Sequence, residues 1–273
     1  MTRPQTENLN AFDIEPSSWS VPGLADGLQA RRLNEDPDTG ALSVVIHIPK
    51  GWARTESAEC AANQDLFLME GALDAGDDLL QSGAFSFYPR GVVQPPWTAK
   101  EDCTAFVIFD RAPVYTAATT STPDAKTDQT VATLDTWTME WFDPLAASKP
   151  SVAFHPGIFV KVLRTDPETG TSTHLAGLMP GWFQEGIEVH PVREESIIIS
   201  GDVNIATVDG KPGYTCSVGG YYSRPPGIPH GPLSSKNGNV GLVHTEGLLG
   251  IDYQTDDRAE DLILDHLRTY PWK

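Results

Sequence analysis

The chain of 273 residues has room for two domains of ordinary size, and its three cysteines show neither a disulfide framework nor metal-binding spacing. Its 37 acidic and 19 basic residues leave a formal net charge of −18, which repels phosphate backbones and anionic lipid surfaces. The sequence predicts no nucleic-acid partner and no membrane association. Because it shows no secretory signal and no long apolar stretch, we expect a cytoplasmic protein.

The first half of the chain consists of short apolar runs separated by Gly, Pro and Asp-Gly turns, which is the pattern of antiparallel β structure. The strands predicted in this half are Ser43 to Ile48, Asp65 to Met69, Ala84 to Tyr88 and Thr104 to Phe109. Residues 116 to 130 then hold six threonines with almost no apolar periodicity. That composition predicts a linker or an exposed loop.

The second half repeats the β pattern and ends in a helix. Its predicted strands are Ile158 to Leu163, Thr171 to Leu178, Ser196 to Ser200, Val203 to Val208, Gly220 to Ser223 and Val240 to His244. Asp209-Gly210 and Asn237-Gly238 are hairpin turn signals. A helical period with one apolar stripe is found at residues 256 to 267, which predicts a C-terminal helix packed on the outside of a barrel.

The two halves are copies of one unit. Residues 36–40 read Asp-Pro-Asp-Thr-Gly and residues 166–170 read Asp-Pro-Glu-Thr-Gly, while Gly51-Trp52 recurs as Gly181-Trp182, all at a spacing of 130 (166 − 36 and 181 − 51). A repeat of this length is a tandem of whole domains, not a solenoid array. The sequence therefore predicts two tandem jelly-roll barrels.

The spacing changes to 136 (219 − 83 and 225 − 89) after residue 201, which predicts a six-residue insertion in the second copy between Asn204 and Gly213. The predicted domains are an N-terminal extension (1–19), an N-terminal barrel (20–115), a linker (116–135), a C-terminal barrel (136–255) and a C-terminal helix and tail (256–273).

Potential metal ligands are concentrated in the second copy. Glu188 and His190 alternate on a predicted strand and so face the same way, Glu194 follows one turn later, and His230 stands in the Pro-rich segment 224–232. Two imidazoles with one or two carboxylates suit Fe(II), Mn(II), Zn(II) or Ni(II) with an open coordination position.

The spacing of these residues resembles the two cupin motifs. It reads His190, three residues, Glu194, six residues and Gly201, and then Gly219 through a Pro-rich turn to His230. The duplicated region is thus similar to a bicupin, and the wording of its second half resembles the cupin domain of ChrR-type anti-sigma factors. The resemblance implies a double-stranded β-helix in each half, and His190, Glu194 and His230 fall on metal-ligand positions of the family.

Two departures accompany the resemblance. Glu188 stands where the family has the first histidine of His-x-His, so this carboxylate is expected either to bind the metal or to hydrogen-bond a substrate or water. In the first copy, the positions that correspond to all four residues carry other side chains. They are Ala58, Cys60, Gln64 and Gln94. The N-terminal barrel is therefore expected to have lost its metal site.

Three further side chains of the second copy are candidates for the substrate pocket. Tyr222 lies on a strand before the His230 turn, where a phenol can position a substrate. His174 and His244 lie on predicted strands and are expected to line the same cavity, although core histidines are common.

The leading expectation is a metal-dependent enzyme with one active site in the C-terminal barrel. With Fe(II), the resemblance to cupin dioxygenases implies oxidative C–C cleavage of a diketone-like or hydroxy-ketone substrate, whereas Zn(II), Ni(II) or Mn(II) favours isomerase or lyase chemistry. The alternatives are a non-catalytic metal or ligand sensor related to the ChrR-type factors, and a storage bicupin with a vestigial site. A small molecule is the expected partner, and both a monomer and a homodimer suit a duplicated chain.

Overall fold

A computed structural model describes residues 3–144 and 156–269, which form antiparallel β structure with one short α-helix. Strand β1 comprises Thr6–Asn10. The strands that follow in the first half are β2 (Ser17–Ser18), β3 (Gln29–Glu35), β4 (Leu42–Ile48), β5 (Ala53–Arg54), β6 (Ala58–Cys60), β7 (Gln64–Glu70), β8 (Ala72–Ala75), β9 (Asp78–Gln81), β10 (Ala84–Tyr88), β11 (Val93–Gln94), β12 (Trp97–Ala99), β13 (Cys103–Phe109), β14 (Tyr115–Ala117) and β15 (Val131–Asp135).

The second half has the same architecture. Its strands are β16 (Ile158–Thr165), β17 (Ser172–Leu178), β18 (Phe183–Gln184), β19 (Ile187–Val189), β20 (Glu194–Gly201), β21 (Val203–Val208), β22 (Lys211–Cys216), β23 (Gly220–Arg224), β24 (His230–Ser234), β25 (Asn239–Thr245) and β26 (Asp252–Gln254), followed by helix α1 (Ala259–Thr269). Two 3₁₀ turns, Ala11–Asp13 and Thr127–Gln129, complete the set. Among the described residues, no helix has the length and apolar character that a membrane span requires.

The chain divides into two compact units. The N-terminal unit contains the described residues of Met1–Pro4 and Ala11–Met139, and the C-terminal unit contains Gln5–Asn10 and the described residues of Glu140–Lys273. In the first, β15-β10-β7-β13-β4-β3-β2 form one sheet, with β5-β12-β8-β9 and β11-β6-β14 as smaller ones; in the second, β1-β23-β20-β25-β17-β16 and β22-β21-β24-β19-β26 form two. The predicted all-β fold of two tandem cupin barrels with a short C-terminal helix is confirmed.

The structure also shows the duplication. Strands β4, β7, β10 and β13 correspond to β17, β20, β23 and β25 at the spacings read from the sequence. The insertion makes the strands of the hairpin β21–β22 longer than those of its counterpart β8–β9. Both hairpins have a turn of two residues. The turn of β21–β22 is Asp209-Gly210, as predicted, and both of its residues have positive φ, which a type I′ turn requires.

Polar segments at the ends of the predicted domains take part in the sheets. Within residues 1–19, expected as an extension, β1 pairs with β23 of the C-terminal unit. Within residues 116–135, expected as a linker, β15 pairs with β10 of the N-terminal unit. Both strands are only five residues long and pair with strands distant in sequence, so no local pattern indicated them. Helix α1 begins three residues after the predicted start, because the Asp256 side chain forms a turn with Arg258.

Two glycines of the C-terminal unit test how tightly the hairpins are packed. Gly201 and Gly181 have similar positive φ values of 75° and 78°. A Cβ on Gly201 would lie 1.8 Å from the Gly238 carbonyl oxygen, whereas a Cβ on Gly181 would meet nothing within 4 Å. Both alanine variants carry the same left-handed strain, so their difference measures the backbone clash alone.

We expect Gly181→Ala to lower the free energy of unfolding by about 1 kcal/mol and Gly201→Ala by at least about 3 kcal/mol. Urea denaturation of the two variants and the wild type gives these values. Equal losses in the two variants would contradict the close approach of the chain at Gly201.

Candidate metal centre

The four residues that the sequence singled out converge in the C-terminal unit. Glu188 lies on β19, His190 follows one residue after that strand, Glu194 opens β20 and His230 opens β24. Glu188 and His230 are direct cross-strand partners, which places their side chains next to each other. All four residues are buried, with exposed fractions of 2% to 8%.

The donor atoms of these residues surround a common point. Glu188 Oε2 lies 3.4 Å from both His190 Nε2 and His230 Nε2, and Glu194 Oε2 lies 3.8 Å from each of the same two nitrogens. One donor atom each of Glu188, His190 and His230 falls within 4.8 Å of the others. Ligand atoms around one ion lie this far apart when each bond to the ion is about 2.0 to 2.2 Å long, as Zn–N and Zn–O bonds are.

The two imidazoles are held in the orientation that metal binding needs. His190 Nδ1 lies 3.0 Å from the Gly250 carbonyl oxygen, and His230 Nδ1 lies 3.1 Å from the Ile228 carbonyl oxygen. Since a carbonyl oxygen only accepts, each Nδ1 donates, and the lone pair of Nε2 faces the cluster. The second carboxylate oxygen of Glu188 accepts a hydrogen bond of 2.7 Å from the Gln184 amide, which fixes that side chain too.

Two buried atoms test whether the residues fit a metal. His190 Nε2 and Glu194 Oε2 have no hydrogen-bond partner within the described ranges. An unsatisfied buried polar atom costs about 1–3 kcal/mol, so two of them aimed at one point indicate a missing partner that accepts both. A divalent cation satisfies a nitrogen lone pair and a carboxylate oxygen together. The buried Glu188/His190/His230 cluster can therefore bind a metal, while the complete ligand set stays a prediction.

The electrostatics of the cluster have the same origin. Burial, the largest influence on Glu188, raises its pKa, but the contacts with the two imidazoles outweigh burial and lower the pKa below its usual range. Burial lowers the pKa of His190, but the Glu188 and Glu194 carboxylates together raise the pKa to about 9. His190 thus stands in a negative environment that favours a cation.

The cluster opens onto a cavity of about 270 Å³, which the four candidate ligands line together with Tyr222 and His174. Tyr222 and His174 thus line the same cavity as the cluster, and their role towards a substrate stays a prediction. His244 does not line the cavity: it lies on the opposite face of β25 from Val243, and its Nδ1 is 2.9 Å from Thr173 Oγ1. The prediction for His244 was wrong. Successive side chains of a strand face opposite sides of the sheet, and on β25 it is Val243 that faces the cavity.

Sequence reasoning missed an arginine at this site. Arg224 is 2% exposed, lines the cavity and lies opposite Glu194 across the pair β20–β23, with Nη1 3.6 Å from Glu194 Oε2. Its Nε and Nη2 each donate a 3.0 Å hydrogen bond to the carboxylate of Glu7, which β1 brings to this sheet edge. The Arg-Pro-Pro-Gly wording around residue 224 was a signal, but Glu7 had none.

The corresponding place in the N-terminal unit holds an arginine side chain. Arg54 is 6% exposed, and its Nη1 donates a 3.3 Å hydrogen bond to Gln94 Oε1, while Gln94 Nε2 donates a 3.2 Å bond to Gln64 Oε1. Gln94 and Gln64 stand where the second copy has His230 and Glu194. Burial lowers the Arg54 pKa, and no acidic residue forms an ion pair with it in the described part of the chain.

The described chain contains two barrels of the cupin fold, and the C-terminal barrel carries a buried Glu/His/His cluster able to bind a metal. The chain belongs to the family described as a domain of unknown function, DUF4437, whose model matches residues 15–252. No curated protein is similar to the chain in sequence.

Solved structures share the fold. The structure of a protein from Nostoc punctiforme named as a "putative dioxygenase" superposes with a TM-score of 0.80 at 18% identity, covering 93% of this chain and 87% of that chain. Oxalate decarboxylase from Bacillus subtilis superposes with a TM-score of 0.57 at 13% identity, covering 97% of this chain and 83% of that chain. At these identities the likeness establishes the fold and leaves the reaction open.

We expect one metal ion per chain in protein purified without a His tag or chelator, because only the second copy keeps the donor atoms. His230→Ala and Glu194→Gln should weaken metal binding by more than about 100-fold, since each removes a donor atom from the buried group. Elemental analysis and competition titration measure stoichiometry and affinity.

Gln94→Ala is the matched control, since residue 94 is the counterpart of residue 230 in the first copy and should leave metal content unchanged. Two ions per chain, or full metal content in His230→Ala, would contradict the site.

Proposed function

We propose that the C-terminal barrel is the active site of a metal-dependent enzyme that acts on a small molecule, by dioxygenase-type C–C cleavage of a diketone-like or hydroxy-ketone substrate. One observation carries the proposal: a buried group of two imidazoles and two carboxylates, with His190 Nε2 and Glu194 Oε2 unsatisfied among the described residues, lines a cavity large enough for a small organic molecule. A structural site is closed by protein ligands, whereas a catalytic site opens to substrate.

The ligand set suits chelation of adjacent oxygens. Bound there, a first-row divalent ion would supply Lewis-acid polarisation of a carbonyl and, as Fe(II), activation of O₂. Glu188, His190, Glu194 and His230 would hold it, and the two carboxylates would neutralise its charge.

The reaction balances with O₂ as the only co-reactant. One 1,3-diketone and one O₂ give one carboxylic acid and one 2-oxoaldehyde. The bond between a carbonyl carbon and the central carbon breaks, each fragment receives one oxygen atom, and the four electrons taken up by O₂ come from the carbons. One proton of the central CH₂ ends on the carboxyl group or in solvent.

Tyr222 and His174 would orient the substrate. Burial raises the pKa of Tyr222 well above its usual value, so the phenol stays protonated and can donate a hydrogen bond to a substrate oxygen. Burial lowers the pKa of His174 to about 4, so its imidazole is neutral near pH 7 and can accept or donate a hydrogen bond. Neither residue adds a charge to the cavity.

The test is oxygen uptake after anaerobic reconstitution with Fe(II), using a panel of 1,3-diketones and hydroxy-ketones. We expect one O₂ consumed per substrate cleaved, and no uptake with Zn(II), Ni(II) or Mn(II). Tyr222→Phe should lower kcat by about 10- to 100-fold at unchanged iron content, because a positioned donor contributes on that order. His47→Ala, in the N-terminal unit, is the control that should keep full activity.

The remaining outcomes separate the other functions. Conversion of the same compounds without O₂ by the Zn(II), Ni(II) or Mn(II) form would replace the oxygenase proposal by isomerase or lyase chemistry. A metal-loaded protein that binds the compounds and converts none would contradict an enzyme and favour the non-catalytic sensor related to ChrR-type factors.

A further inference from the structure

Three small residues are part of the lining of the C-terminal cavity. Ala176 on β17 and Gly241 on β25 are direct cross-strand partners, and Ser196 lies on β20, the other neighbour of β25. All three line the cavity. A Cβ on Gly241 would lie 3.1 Å from Ser196 Oγ, so the space next to these residues depends on their small size.

The first copy shows the same barrel with this space filled. Ala176 corresponds to Ile46, and Ser196 corresponds to Leu66. Ile46 and Leu66 are 5% and 1% exposed and pack in the N-terminal core, where the cavity lined by both residues measures about 10 Å³. The C-terminal cavity measures about 270 Å³. Where the first copy has Ile46 and Leu66 the barrel is packed, and where the second copy has Ala176 and Ser196 the barrel contains a cavity.

Most of the residues that line the cavity are apolar. Its aliphatic lining residues include Leu178, Ile198, Val203, Ile205 and Leu233. An unfilled apolar cavity forgoes the dispersion contacts of a packed core, which costs stability. A volume of this size, at about 30 Å³ per water-sized group, holds on the order of ten non-hydrogen atoms.

The polar groups of the cavity carry little free positive charge. The Arg224 guanidinium is paired with the Glu7 carboxylate through two hydrogen bonds of 3.0 Å and lies beside Glu194. A divalent ion with Glu188 and Glu194 has no net charge. Among the residues that the structure describes, no unpaired cation lines the cavity to balance the second charge of a small dianion, and burying an unbalanced charge is costly.

We propose, resting on the function proposed above, that the substrate is a neutral or singly charged chelating ketone with an apolar body of several carbons. Its oxygens face Glu188, His190, Glu194 and His230, and its body fills the space beside Ala176 and Ser196. Small dianionic acids such as oxalate are excluded from the substrate class by the same charge balance.

The experiment measures binding to the Zn(II)-loaded protein, which avoids turnover, by calorimetry. The probes are pentane-2,4-dione, heptane-2,4-dione, nonane-2,4-dione and oxalate. We expect affinity to rise by up to about fourfold per added methylene, as burial of each methylene predicts, and oxalate to bind at least about 100-fold more weakly than the nine-carbon dione.

A cavity-filling variant, Ala176→Ile with Ser196→Leu, copies the first half of the chain. We expect it to keep its zinc and to bind nonane-2,4-dione about 100-fold more weakly, with less than about a fivefold change for pentane-2,4-dione. Ala206→Ile repeats the Ala176→Ile change at a half-buried position of β21 outside the cavity and is the control. Should the double variant lose its zinc or unfold, the chain-length series on the wild type decides the proposal.

An affinity that does not change with chain length, or tighter binding of oxalate than of the diones, would overturn this substrate class while zinc binding and oxygen uptake leave the proposed function intact. Absence of metal binding, or of conversion of any ketone, would instead remove the proposed function itself.

Discussion

Two carboxylates and two imidazoles lie together in the buried interior of the C-terminal barrel. Burying two carboxylates side by side costs free energy, and the other contacts of the site offset that cost. Glu188 and Glu194 are each 8% exposed, and both approach the same two nitrogens within 4 Å. Buried carboxylates that repel each other need a cation, and the donor atoms converge where one would fit. Hydrogen bonds from Gln184 and to the Gly250 and Ile228 carbonyls hold the group in place before any ion arrives.

The two barrels of the chain stabilise their buried polar side chains in different ways. In the first copy, neutral glutamines replace His230 and Glu194. The guanidinium of Arg54 donates to Gln94, and the Gln94 amide donates in turn to Gln64. Arg54 Cζ also lies 4.9 Å from the centre of the Trp97 ring, a cation–π contact that helps to offset burial. The N-terminal unit thus combines a buried arginine with a packed core. The C-terminal unit combines the cluster of candidate metal ligands with an open cavity.

Much of this architecture could be predicted from the sequence, because the signals were local or repeated. Alternating apolar runs predicted the strands, and the two spacings between the copies, 130 and 136, showed which side chains had been lost. The resemblance to the cupin motifs implied that His190, Glu194 and His230 converge, and strand alternation predicted only that Glu188 and His190 face the same way. What escaped prediction depends on contacts far apart in the chain: β1 is polar and short, and only its pairing with β23 explains why Glu7 lies on Arg224.

Two other features were beyond the sequence for different reasons. Arg54 in the first copy corresponds to Gln184 in the second. Because neither residue is part of a metal-ligand motif, the sequence did not indicate that Arg54 would enter the barrel. His244 was misplaced because a one-residue error in strand facing moves a side chain to the other face of the sheet. The size of the cavity depends on the summed volumes of residues from several strands, which becomes visible only when the strands are assembled.

The account depends on one metal ion at one place, and anomalous diffraction from a crystal grown with Fe(II), Mn(II), Ni(II) or Zn(II) tests it most directly. The account predicts a single strong peak per chain, about 2.0 to 2.3 Å from His190 Nε2 and His230 Nε2, with oxygens of Glu188 and Glu194 completing the protein ligands. A peak beside Cys60, Gln64 or Gln94 in the N-terminal unit, or none at the C-terminal cluster in crystals soaked to saturation, would contradict it.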